Sequence, residues 1–254
     1  MMMRKPIWIA LALCATTQTS FGQAETTTDN DVLRKLRFGV YVAPTLSMMR
    51  PSAGKDGNQT QANGGNKLGF TYGIMADYNF TDNYAIATGL QVNSTGGIIT
   101  TENPKAADNE VLKSNVNYTL QYLEVPVALK LNTDEIGKFR FFGQAGMSVG
   151  FNISKKATYE ILQKTAAGDS LYKADTKEKL TGSIGAIAPV VFQMNIGLGL
   201  QYKVGPKLDA YAGIFFNNGF APNVTVPEKV NNFPDFKDGN TRLNNFALRL
   251  GFYF

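Results

Sequence analysis

The chain offers little of the chemistry on which enzymes usually depend. None of its 254 residues is histidine, and its single cysteine is Cys14. Without histidine a Ser-His-Asp or Cys-His site cannot form, and the commonest protein ligand of metals is missing. Residues 235–240 are rich in oxygen ligands but lack the ligand spacing of an EF-hand calcium loop, so a turn is expected there. The sequence therefore predicts a protein that is not an enzyme and has no cofactor and no metal site.

Five charged residues are better candidates for a structural role. Each lies in a segment where large apolar residues alternate with small or polar ones, and each falls on the polar side of that alternation: Asp77, Glu124, Lys130, Arg140 and Arg249. Residues two apart point to the same face of a strand. We therefore expect these five to share one enclosed face and to form a charge network, because an unpaired buried ion is costly.

One pairing within this network can be predicted more closely. Glu124 and Arg249 lie at similar distances from the ends of their segments, which places both near mid-depth if the segments are strands of one barrel. We expect them to pair across the enclosed space, directly or through Tyr122 or Gln144. The alternatives are that Glu124 pairs with one of the other cations of the network, near one rim, or is solvated.

The strand pattern that positions these charges is clearest in the last ten residues, 245–254. Every second residue there is large and apolar up to the end of the chain: Phe246, Leu248, Leu250, Phe252 and Phe254. A period of two separates these side chains from the intervening ones onto opposite faces. An outward apolar face ending in an aromatic residue is typical of a transmembrane β-barrel. The five residues resemble the C-terminal strand signal of bacterial outer-membrane proteins, which the barrel assembly machinery reads.

The same alternation recurs from residue 37 onward, in segments near the roughly 9–11 residues that a tilted spanning strand requires. Short connections at 81–83, 132–138 and 205–207 alternate with long polar ones at 50–66, 101–114, 154–189 and 218–241. This pattern predicts an all-β fold, an antiparallel transmembrane up-and-down β-barrel of about eight strands, with short periplasmic turns and long outer loops.

A soluble up-and-down barrel, such as a lipocalin, is the alternative fold. Its apolar face would point inward, and its outer face would need charge. Here the face opposite the large apolar residues consists of Gly, Asn, Gln, Ser and a few charges, and only 18% of the chain is charged. This composition favours a polar interior inside a membrane-spanning wall.

The N-terminus predicts export. Arg4 and Lys5 precede a short apolar stretch, and small residues precede Gln23, as in a cleavable secretory signal. We therefore predict a signal peptide at 1–22, a periplasmic lead-in at 23–36 and a barrel at 37–254, located in the outer membrane after cleavage.

The net charge of +5 bears on partners. No basic stripe with interleaved aromatic residues appears, so nucleic acid is not expected. Outer-membrane lipid with anionic headgroups is the better partner for a cationic surface. The lysines of the third long connection could contact lipopolysaccharide phosphates, although a solvated loop would explain them too: Lys155, Lys156, Lys164, Lys173, Lys177 and Lys179.

Two segments carry a family resemblance. Residues 121–130, QYLEVPVALK, and residues 141–146, FFGQAG, resemble the small outer-membrane barrels of Bacteroidota, the PorT-like "outer membrane protein beta-barrel" family. The resemblance covers the chain from about Arg37 to Phe254. It implies the fold and the location, and it implies secretion-apparatus proteins as partners, since some members serve type IX secretion.

Two classes of function follow. The first is a membrane-anchored scaffold whose loops or periplasmic rim bind partners, and PorT-like support of secretion is its most specific version. The second is a narrow pore or small-ligand conduit of the porin type. About eight strands leave an interior that side chains can fill, whereas open porins need sixteen or more. The strand number therefore favours the scaffold.

Overall fold

Eight long antiparallel strands form a closed ring in this computed structural model, which describes residues 35–254 except 53, 57, 109, 175–185 and 226–239. Within the described residues the ring strands are β1 (Leu36–Pro51), β2 (Lys67–Asn79), β3 (Tyr84–Glu102), β4 (Val111–Asn132), β5 (Phe139–Thr165), β6 (Val190–Lys203), β7 (Asp209–Gly219) and β8 (Thr241–Tyr253). Each pairs with the next, and β8 pairs with β1. The predicted all-β up-and-down barrel is confirmed.

The predicted signal peptide, residues 1–22, lies outside the described residues, as do residues 23–34 of the predicted lead-in. No helix in the part of the chain that the structure describes is long and apolar enough to cross a membrane.

The wall of the barrel sorts side chains by the alternation along each strand. On β1, Phe38, Val40 and Val42 point outward and are about half exposed, whereas Tyr41 and Ala43 are buried inside. The same division holds on the other ring strands, so a belt of large apolar residues surrounds the barrel. Such a belt is stable only against lipid, because in water it would form a very large exposed apolar surface.

Three strands are much longer than the sequence indicates. β3, β4 and β5 have 19, 22 and 27 residues, so the predicted length of roughly 9–11 residues is wrong for them. Residues 154–165, expected in a loop, continue β5 and form a hairpin with the short strand Gly168–Ala174. The strand Gln59–Gly65, also expected in a loop, pairs with β3. Beyond the apolar belt neither face of these strands meets lipid, so the alternation that reveals a strand is lost.

The interior contains two clusters at different heights. The lower one, near the short connections, is rich in aromatic rings. The upper one is mainly aliphatic, with Met49, Leu120 and Leu243 fully buried, and it also includes Tyr118 and Tyr122. Two short strands, Ala186–Ile187 and Val224–Thr225, pair with each other and add Ile187 and Val224 to the upper cluster. The expectation of a polar interior is therefore wrong for the outer half, where these inserted segments form a core of their own.

Candidate functional site in the barrel interior

A buried ion pair lies at the lower end of the lumen. Lys130 Nζ on β4 is 2.5 Å from Asp77 Oδ2 on β2, and both side chains are almost fully buried. These strands are separated by β3, which places Ala85 opposite Lys130 and Ala87 opposite Asp77. The two small alanine side chains leave the space across which the lysine reaches the carboxylate.

Three aromatic rings surround the ammonium group of Lys130. Its Nζ lies 4.8 Å from the ring centroid of Phe142, 5.5 Å from that of Tyr211 and 4.6 Å from that of Tyr253. It also donates a hydrogen bond of 2.9 Å to Tyr253 Oη. Rings at these distances attract a cation through their quadrupoles. The charge is thus held by one carboxylate and an aromatic cage.

Glu124 is buried among amide donors at a higher level. Its carboxylate accepts hydrogen bonds from Gln91 Nε2, from Asn93 Nδ2 at 2.9 Å and from Gln193 Nε2 at 3.3 Å. Gln91 and Asn93 are two apart on β3 and therefore point to the same face. Gly150 on β5 faces Glu124, and a Cβ atom there would lie 3.1 Å from Glu124 Cγ. Three amide donors satisfy this carboxylate without a cation in contact.

Arg249 is held between two rings. Its Cζ lies 4.0 Å from the ring centroid of Phe215 and 4.9 Å from that of Tyr41. Tyr41 Oη donates a hydrogen bond to Gln91 Oε1, and Gln91 in turn donates to Glu124. Gly73 lies between Tyr41 and Gln91 on the intervening strand, and a Cβ atom there would be 2.8 Å from Gln91 Cβ.

The expected direct contact between Glu124 and Arg249 is absent from the ion pairs within 4.0 Å that the described residues form. Their connection runs through Gln91 and Tyr41, and the expected bridges have other positions: Tyr122 accepts from Asn223, and Gln144 lies opposite Lys130. The physical reason is reach, because amides on the neighbouring strand are closer to the carboxylate than a guanidinium on another wall.

Arg140 lies at the rim near the short connections, away from the buried charges of the interior. Its Nη2 lies 3.6 Å from Glu135 Oε1, and Lys203 Nζ lies 3.5 Å from the other oxygen of the same carboxylate. A second rim pair joins Arg37 to Asp209 at 2.5 Å. These pairs are partly exposed, so each contributes little to stability. Sequence reasoning missed Glu135, Arg37 and Asp209 because they lie at or beyond the strand ends.

Phe142 and Phe215, two aromatic residues of the interior, were not anticipated either. Phe142 stacks on Tyr211 with ring centroids 5.1 Å apart, and Phe215 is fully buried. A signal for both exists in the chain, since each belongs to a pair of consecutive phenylalanines, 141–142 and 215–216. Neighbouring residues on a strand point to opposite faces, so one ring of each pair must enter the lumen.

Little empty space remains among these groups. A cavity of about 20 Å³ lies beside Tyr41, Asp77 and Arg249. Small-molecule sites usually measure about 300–1,000 Å³, so this cavity does not have the size of a ligand site. Among the described residues, no group of three or more Asp, Glu or Cys side chains is arranged to hold a metal ion.

Four of the five residues of the predicted assembly signal lie on the outer face of β8, and Phe254 follows the end of that strand. Phe246, Leu248, Leu250, Phe252 and Phe254 are all exposed toward the surroundings of the barrel. The N–H of Phe254 donates to the carbonyl of Phe38 at 2.9 Å, which ties the chain end to β1 at the seam of the ring. Their role in assembly stays a prediction.

Comparison with known proteins gives one family match. The model of the outer membrane protein beta-barrel domain matches residues 18–223. Solved structures similar to this chain include the neisserial surface protein NspA, with 14% identity over 84% of this chain and 95% of that one, and a TM-score of 0.39. OprG of Pseudomonas aeruginosa has 10% identity, coverage of 86% and 95%, and a TM-score of 0.39.

The attachment invasion locus protein Ail of Yersinia pestis has 12% identity, coverage of 86% and 98%, and a TM-score of 0.36. No curated protein sequence matches the chain. Structural similarities this weak carry no argument about function.

Proposed function

Because the chain belongs to the outer membrane protein beta-barrel domain family, we propose that it is a closed outer-membrane barrel that acts as a structural and interaction scaffold. Family membership implies the outer membrane as its location. The proposal concerns what the barrel does there, and it is supported by the filling of the lumen and by the part of the wall that projects beyond the apolar belt.

The filled lower lumen carries this proposal. Lys130 and Asp77 are held within the aromatic cage, and Glu124 with its amide donors lies above them. The aliphatic cluster around Leu120 and Leu243 occupies the outer half. An eight-stranded ring is just narrow enough for side chains to fill it. These three layers lie one above another along the axis, which argues against a water-filled path through the described part of the protein.

The projecting wall offers the surface on which a partner could dock. β3, β4 and β5 continue past the belt, flanked by Gln59–Gly65 and by the hairpin strand Gly168–Ala174. Leu171 on this hairpin is 57% exposed. An ordered sheet edge with exposed apolar residues is more suitable for protein recognition than for solute passage.

Planar-bilayer recording tests the closed barrel. The purified protein should give no stable conductance steps of the size that general porins produce. The variant Phe142→Ala with Tyr211→Ala removes two rings of the cage but leaves the two layers above it in place, so it should also stay closed, as should Leu171→Ala on the projecting hairpin. Stable steps from the unmodified protein would instead favour the narrow pore of the porin type.

Support of type IX secretion is the more specific version of the scaffold, and the PorT-like sequence resemblance supports it. An epitope-tagged protein purified from native outer membrane in mild detergent should bring secretion-apparatus proteins with it. A barrel of the same family that lacks the 121–130 motif is the control. If nothing from that apparatus co-purifies, the secretion version fails while the closed scaffold stands.

A further inference from the structure

Two arginines face each other on the outside of the barrel at its seam. Arg50 on β1 is directly opposite Arg242 on β8, and both side chains are exposed. Residues directly opposite on antiparallel strands have Cβ atoms about 4.5–5.5 Å apart, and like charges in that position destabilise the pair. An anion between the two guanidinium groups would offset this repulsion and stabilise the pairing of the two strands.

Among the described residues, the surroundings of this pair contain donors and no acid. Neither arginine forms an ion pair with a described residue. The two border a surface cavity of about 330 Å³ together with Ser52, Asn218 and Asn244. Asn244 Oδ1 already accepts from the N–H of Gly219 at 3.3 Å, which leaves its NH₂ group as a donor. Two guanidinium groups, two amides and a hydroxyl form a set that suits a phosphate.

The position of the cavity along the barrel axis indicates which phosphate-bearing molecule can reach it. Two residues along β8 from Asn244, Phe246 packs on Phe216 with ring centroids 4.8 Å apart, and Leu46 lies opposite Phe246. On β1 and β8, Leu46 and Phe246 are the last large apolar side chains that are exposed before the two arginines. Arg50 and Arg242 follow four residues farther along these strands, and aromatic rings mark the level of the membrane interface, so we place the arginines at the level of the lipid headgroups.

The described lysines of the third predicted loop form no comparable site. Lys155 and Lys156 lie on β5 and Lys164 lies at its far end, where its Nζ donates to the carbonyl of Ala106 at 3.3 Å. Lys173 lies on the hairpin strand, whereas Lys177 and Lys179 lie outside the described residues. The charges are spread along an extended strand, in contrast to the two facing arginines at the seam.

We propose that Arg50 and Arg242 bind the phosphate of an outer-leaflet lipid, with lipid A as the occupant and its acyl chains against Leu46, Phe216 and Phe246. The guanidinium fork donates two parallel hydrogen bonds to phosphate oxygens, which a lysine cannot do. The site neutralises the repulsion at the seam and joins β1 to β8 through the lipid. It rests on the outer-membrane location of the barrel, and it is independent of conductance and of secretion partners.

The test is thermal unfolding of the refolded full-length protein in detergent. Unfolding is monitored on gels as the loss of the compact form. Lipid A with both phosphates should raise the unfolding temperature. The variant Arg50→Gln with Arg242→Gln should need at least about tenfold more lipid A for the same rise in unfolding temperature, because two charge-assisted contacts are lost. Lys155→Gln with Lys156→Gln, which removes the same charge, should respond as the unmodified protein does.

The lipid-free arm separates a binding site from a merely structural pair. Without lipid A, Arg50→Gln should leave the unfolding temperature unchanged or raise it, since it removes a like-charge contact. Arg50→Lys keeps the charge but should bind lipid A more weakly than the unmodified protein. Lower stability of Arg50→Gln in the absence of lipid would contradict the proposal.

Two probes distinguish the sources of phosphate. Lipid A stripped of its phosphates should lose most of the stabilisation, and inorganic phosphate at the same concentration should give little. Equal stabilisation by inorganic phosphate would replace the lipid with a free anion. Equal stabilisation by the dephosphorylated lipid, or the same response in the double arginine variant, would overturn the site altogether.

Discussion

The buried cationic side chains of this lumen are stabilised by aromatic neighbours as much as by opposite charges. Lys130 has one carboxylate partner and three rings, and Arg249 has two rings. A cation over a ring gains about 0.5–2 kcal/mol, the larger values applying where water is excluded. The rings therefore offset part of the cost of burying these cations, and they also supply the bulk that fills the space.

The lower ion pair should be the most sensitive point of the interior. Lys130→Met leaves Asp77 buried without its partner, and breaking a buried pair in this way costs about 3–5 kcal/mol. The free energy of unfolding measured by urea titration in lipid vesicles should fall by that amount. Lys130→Met combined with Asp77→Leu should cost less than Lys130→Met alone.

Lys203→Met is the matched control, because this lysine is half exposed on the rim beside Glu135. Its loss should cost no more than about 1 kcal/mol. Equal effects at Lys130 and Lys203 would mean that the interior is as hydrated as the rim.

The link between Glu124 and Arg249 can be tested by a double-mutant cycle. Glu124→Gln and Arg249→Gln should show a coupling energy of about 0.5–1 kcal/mol, at the low end for residues of one network. The coupling should vanish in a Tyr41→Phe background, since that change removes the hydroxyl that donates to Gln91. Coupling that survives without the hydroxyl would show that the two charges interact directly through space.

At the scale of elements, the sequence predicts strands well only inside the apolar belt. β4 explains why, because its apolar residues change face along its length. Leu120 and Tyr122 point inward at the outer end, whereas Val125 and Val127 point outward within the belt. Both sets are apolar, but one meets the aliphatic cluster and the other meets lipid. A pattern with one apolar face per strand identifies the second part and leaves the first unassigned.

In the candidate site, residue parity along a strand predicts faces but not contacts. Asp77, Glu124, Lys130 and Arg249 have the parity of the inner face and are buried. Their partners depend on strand register, on tilt and on the size of intervening residues such as Ala85 and Ala87. None of these is visible as a period in the sequence, so the faces could be predicted while the contacts could not.

The last strand is expected to control insertion. Phe254→Ser, or deletion of Phe254, shortens the outer apolar face of β8 and removes the side chain beside the tie to Phe38. The amount of folded protein in the outer-membrane fraction should fall severalfold. Leu171→Ser, which exchanges an equally exposed apolar residue beyond the belt, should leave the yield unchanged. Normal yield of the Phe254 variants would show that the C-terminal residue is not required for assembly.

As a whole, the molecule has two unlike ends, and these predict its orientation. The short connections and both ends of the described chain lie at one end, and the extended strands lie at the other. An epitope inserted between Thr165 and Gly168 should be accessible to antibody on intact cells. One inserted at 205–206 should react only after the outer membrane is permeabilised. The reverse pattern would contradict the assignment of the short turns to the periplasm.

The seam between β1 and β8 also affects the order in which the strands pair during folding. Val40 pairs with Phe252, so the ring closes through partners from almost opposite ends of the polypeptide. Contacts of such high contact order form late and slowly, because a long loop must close before they repay its entropy. Until β8 has paired, β1 and β7 remain as unpaired edges that can recruit other chains. The chain must therefore be kept apart from its own copies until it assembles. Pairing of its last strand removes both edges, and from then on that separation is unnecessary.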